Sequence, residues 1–144
     1  MNGRTLPTTL PSELQSLLAL WFVRRGANKV PDWRDMPLRD LEPWFDHMAR
    51  VELLGYGDLR FFNFRLCGAG LVRRFGRDVS GLSLSDLDDT LAAGLRPTLE
   101  RACGTGQPAL GSACAPSGER YCDLALPLRD VDITVLLLLT SYPS

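Results

Sequence analysis

The chain has 144 residues, 16 basic and 17 acidic side chains and a formal net charge of −1. It is the size of one domain and carries no global charge that would draw it to nucleic acid. Hydrophobic residues make up 45% and charged residues 23%, a balance that excludes a disordered chain.

Residues 1–11 read as a flexible N-terminal arm, polar and interrupted by proline. From Ser12 to Gly26 the pattern is helical. Leu14, Leu17, Leu18, Trp21 and Phe22 recur at i, i+3, i+4, i+7 and i+8, one face of an amphipathic helix. Ser12 with Gln15 predicts a capping box at its start, and Arg24-Arg25-Gly26 a cationic last turn and a stop. The apolar run 17–23 does not read as the core of a leader peptide, because Glu13 precedes it and no small-residue cleavage site follows Arg24-Arg25.

Residues 27–144 read as a single domain. Pro31, Pro37 and Pro43 punctuate a connector, with one short helix over 38–44. Strands are predicted over 47–54 and 59–66, joined by Gly55-Tyr56-Gly57-Asp58. In the second strand Phe62, Phe64 and Leu66 share the face expected to meet the core. A short helix over 71–75 and a longer one over 91–103 follow. Three hairpin-linked strands close the chain, over 109–115, 120–128 and 133–142, with turns at Pro116-Ser117-Gly118 and Arg129-Asp130. The expected fold class is α+β, a five-stranded antiparallel sheet with helices on one face and the N-terminal helix outside that core. The run 135–139 is apolar on both faces, as a central strand covered on both sides would be. The N-terminal helix is the natural second cover, supplied by the same chain or by a partner. The run 133–139 is too short to cross a membrane.

The succession ββ–helices–βββ resembles the PAS superfamily. Several motifs resemble a family of short, single-domain bacterial PAS-like proteins. These are Phe64-Arg65-Leu66-Cys67-Gly68-Ala69, Arg77-Asp78-Val79-Ser80-Gly81, Thr105-Gly106-Gln107-Pro108 and Leu126-Pro127-Leu128. Ala69 departs from the pattern, which usually has threonine there. The resemblance spans about residues 14–140. It implies a sensory or interaction role and names no ligand; a cytoplasmic location is expected instead from the four cysteines, which read as free thiols.

Chemistry-bearing residues are sparse. His47 is the only histidine and opens a predicted strand, a poor position for a haem ligand. No asparagine–cysteine–arginine flavin motif is present, so the cofactor is left unknown. Cys67, Cys103, Cys114 and Cys122 lack the spacing of zinc or redox sites and read as free thiols. Asp86, Asp88 and Asp89 read as helix-start carboxylates, not metal ligands. Arg73, Arg74 and Arg77 read as a solvated face. No constellation for catalysis stands out, so the chain is not expected to be an enzyme.

A candidate ligand pocket remains, lined by Phe62, Phe64, Leu66, Leu71, Phe75, Leu95, Leu99, Leu124, Leu126, Leu136 and Leu138. The same residues serve equally as a closed core. The expectation is a sensor that binds a small apolar ligand and signals by non-covalent contact, since no output domain follows the last strand. The alternative is a ligand-free interaction module. The N-terminal helix face, Leu14, Leu17, Leu18, Trp21 and Phe22, is the expected homodimer or partner contact, with a separate signalling protein as a further partner.

Overall fold

The computed structural model describes residues 10–114 and 117–142. Four α-helices and five strands follow in the order α1 Ser12–Arg25, α2 Leu38–Leu41, β1 Met48–Leu54, β2 Phe61–Arg65, α3 Leu71–Phe75, α4 Asp89–Thr105, β3 Ala109–Cys114, β4 Arg120–Asp130 and β5 Ile133–Ser141. Every strand pairing is antiparallel, and the sheet order is β2-β1-β5-β4-β3. This α+β arrangement is consistent with a PAS-like fold.

The apolar alternation along β5 separates two cores. Leu136 and Leu138 face the side of α3 and α4, where they meet Val51, Phe64, Leu95 and Leu99. Val135, Leu137 and Leu139 face the other side, where they meet Leu14, Leu17, Leu18 and Trp21 of α1. The second cover of the sheet is therefore the chain's own N-terminal helix. Burying its stripe holds the helix in place, since an isolated 14-residue segment is marginal in water.

The local geometry differs from expectation at several points. α1 starts after Pro11, with no side-chain cap; Gln15 Nε2 instead donates to the Leu10 carbonyl at 2.5 Å. Leu10 is buried, so the arm is docked there already; residues 1–9 lie outside the described part. The helix expected over 38–44 is α2 followed by a 3-10 segment, Glu42–His47, with Pro43 in its first turn. That segment absorbs His47, which ends it and does not open a strand. β4 continues through Asp130, so the hairpin turn falls at Val131-Asp132, with Val131 at φ 56°. On the β3–β4 hairpin, Ala115 and Pro116 lie outside the described residues.

The motifs have physical roles. Gly68 donates its N–H to the Met48 carbonyl at 2.8 Å. At this close approach a Cβ would meet the backbone carbonyl oxygens of Phe45 and Asp46 at under 3.0 Å. Asp78 accepts from the Ser80 N–H at 2.9 Å, a local turn that delivers Gly81 at φ 82°. Pro127 lies within β4 beyond Ala125, where β3 pairing has ended, so its missing N–H costs that ladder nothing. Its carbonyl accepts the buried Trp21 indole N–H at 2.8 Å, which joins α1 to the sheet.

Candidate functional site

Eight of the eleven candidate pocket residues come together on one face of the sheet. Phe62 and Phe64 come from β2, Leu71 and Phe75 from α3, Leu95 and Leu99 from α4, and Leu136 and Leu138 from β5. Their exposures are 0–5%, so no gap wide enough for a water borders them beyond that trace. Phe64 and Phe75 meet edge to face with ring centroids 5.5 Å apart. The space is a filled core.

The other three residues are corrections. Leu124 and Leu126 lie on the opposite face under α1, because Leu124 pairs with Leu139 and Leu126 with Leu137. Leu66 lies past the end of β2 at φ 50°, half exposed, where the strand's alternation no longer applies. The N-terminal helix face is also committed within the chain. Leu14, Leu17, Leu18 and Trp21 are buried against the sheet, and of the five residues only Phe22 remains open, at 43%.

A groove of about 370 Å³ opens beside the filled core, between the C-terminal half of α4 and the ends of β1, β2 and β5. Leu53 and Phe62 contribute apolar surface, while Arg60, Arg96 and Glu100 bring charge, and Cys103 and Thr134 complete the wall. Burial pushes the Cys103 thiol up to about 11, against a smaller opposing pull from Arg60. At pH 8 only about one molecule in a thousand then carries a thiolate there. Alkylation followed by peptide mass mapping is expected to leave Cys103 almost unmodified at pH 8 and to modify it steeply as the pH approaches 11. Ready modification at pH 8 would show that the site opens.

The polar centre that sequence reading missed lies where α3 meets β4. Arg74 is fully buried, which overturns its assignment to a solvated face. Its Nη2 and Nε donate to the Asp123 carboxylate at 2.9 and 3.3 Å, and Thr140 Oγ1 donates to the same carboxylate at 2.6 Å. The guanidinium lies 3.7 Å from the centroid of the Tyr121 ring. Burial pushes the Tyr121 phenol up to about 12. Outside this pair, Arg73 makes a two-point contact with Glu119, holding that carboxyl below its ordinary range, and stacks over Tyr142 at 3.9 Å. Arg77 is exposed. The missed signal was spacing: Leu71, Arg74 and Phe75 stand at i, i+3 and i+4, so the arginine lies on the apolar stripe.

The remaining candidates have structural surroundings. Asp88 caps α4 by accepting from the Thr90 N–H at 2.9 Å, and Asp86 closes a capping box with Ser83. His47 packs against Gly70 and lies beside Asp46 at 3.6 Å. All four cysteines are unpaired. Among the described residues no group of three or more His, Cys, Asp or Glu side chains gathers at one point, and no helix is long and apolar enough to cross a membrane. No protein family, curated protein or solved structure matches the chain.

Proposed function

We propose that this chain is a PAS-like regulatory module of the cytoplasm that acts through protein–protein contacts and is not an enzyme. One observation carries the choice between a hollow sensor and an interaction module. The residues that would line an internal pocket pack against one another at 0–5% exposure, leaving a ligand no space without rearrangement. The strand order β2-β1-β5-β4-β3, with helices between β2 and β3, is consistent with the PAS-like reading. No nucleic-acid contact is part of this proposal. Phe22 and Val23, exposed on α1, are its partner-facing residues on that helix.

The groove beside Cys103 favours a second proposal, a sensor whose small ligand binds at the rim of the core. Its size suits a small molecule. Mass spectrometry of the purified full chain, native and then denatured, separates the two. A mass excess that disappears on denaturation would establish the ligand sensor. A native mass of two or more whole chains, with no small-molecule excess, is the result expected of the interaction module.

A further inference from the structure

The sheet has two edges, and the chain treats them differently. At the β2 edge the segment after α3 turns back along the strand. The Gly81 N–H donates to the Phe64 carbonyl at 2.9 Å, the Phe64 N–H donates to the Leu82 carbonyl at 2.8 Å, and Asn63 bridges Ser83. That edge is closed. At the β3 edge, among the described residues, no backbone group bonds to the outer side of the strand. The one contact is Arg101 Nη2, which donates to the Leu110 carbonyl at 2.5 Å.

This contact shows which groups point outward. In an antiparallel ladder a residue's N–H and C=O lie on the same side, and the side alternates along the strand. With Leu110 directed outward, Ser112 and Cys114 are as well, while Ala109, Gly111 and Ala113 bond to β4. Natural edge strands are usually blunted by lysine, proline, a bulge or an inward charge. β3 has none of these: its residues are Ala-Leu-Gly-Ser-Ala-Cys, paired with β4 without a break from Ala109↔Ala125 to Cys114↔Arg120. Ser112 and Cys114 are exposed.

We propose that β3 is a docking edge and that its occupant is β3 of a second copy of this chain, antiparallel across a two-fold axis. The proposal rests on the interaction module above and names its partner. Charge favours a second copy. No ionisable acid or base other than cysteine occurs from residue 102 to 118, so laying this stretch on itself opposes no like charges. Geometry favours it too. Centred on Ser112, the two-fold sets Ser112 against its own copy and Leu110 against Cys114, so outward N–H groups meet outward carbonyls. The Leu110 carbonyl retains a second lone pair beside Arg101. Six residues per edge make a small interface, so the dimer forms in a concentration-dependent way.

Two variants of the full chain test this. Ser112→Pro removes an outward N–H and leaves the β4 ladder whole. Sedimentation is expected to show dimerisation weakened at least tenfold, with the circular dichroism spectrum unchanged. Ser112→Cys combined with Cys114→Ser and Cys122→Ser, the last because Cys122 faces position 112 within the same chain, places two thiols on directly opposed residues, whose Cα separation of about 5.5 Å suits a disulfide. Mild oxidation is expected to yield a covalent dimer whose linked peptides map to position 112 in both copies; this readout stands even if the proline variant misfolds. Self-association unaffected by Ser112→Pro, together with no link at 112, would overturn the edge proposal and leave the interaction module standing. A chain that stays monomeric at every concentration and captures no partner would overturn both.

Discussion

Arg74→Met is expected to destabilise the protein by about 3–5 kcal/mol, and Asp123→Leu by a similar amount. Each single change leaves one charge in a place that water does not reach: Arg74 is fully buried and the Asp123 side chain is 4% exposed. In the first variant the carboxylate retains only the Thr140 hydroxyl; in the second the guanidinium retains only the faces of Tyr121 and Phe75. The double variant Arg74→Met/Asp123→Leu removes both desolvated charges and supplies apolar volume. It is expected to recover most of the loss, so the two changes couple strongly. Urea denaturation of the four proteins, read as a double-mutant cycle, gives the comparison. Two single variants that each cost under about 1 kcal/mol would mean the pair is solvated, and the packing of α3 against β4 would need a different account.

That pair also shows where sequence reasoning stops. α1 was legible because five apolar residues repeat at helical spacing with no charge among them, and α3 because glycines bound it. The same periodicity runs through Leu71, Arg74 and Phe75, but composition favours the surface for an arginine. Only the partner settles its place, and Asp123 lies 49 residues away on β4. Leu124 and Leu126 were assigned to the wrong face for a related reason. β4 and β5 are apolar on both faces over their central residues, so alternation carries no sign there. The hairpin carries it: pairing across a two-residue turn sets even-numbered residues of β4 against odd-numbered residues of β5. The choice between a hollow and a filled core had no sequence signal, because phenylalanine and leucine at these spacings suit either. The closed packing on that face and the free edge of β3 are properties of the assembled sheet.

Gly68→Ala is expected to cost about 3 kcal/mol or more, enough to leave a domain of this size partly unfolded at 25 °C. A new Cβ at this position would press on the carbonyl oxygens of Phe45 and Asp46 and on the Asp46 carbonyl carbon. These are backbone atoms of the 3-10 segment leading into β1, and none can swing aside as a side-chain tip would. Relief requires either that segment to retreat or the chain leaving β2 to move outward, which would break the bond from the Gly68 N–H to the Met48 carbonyl. Both routes disturb the β1–β2 half of the sheet. Gly104→Ala provides the opposite case. It lies near the end of α4, where an added Cβ meets nothing within 4 Å. Alanine there restricts the unfolded chain and favours the helix, so stability is expected to rise by about 0.5–1 kcal/mol. Urea midpoints of the two variants should therefore move in opposite directions from the parent. If Gly68→Ala unfolds at the parent's midpoint, the approach of residue 68 to the backbone of Phe45 and Asp46 is looser than described, and the role of this glycine in its motif would lie elsewhere.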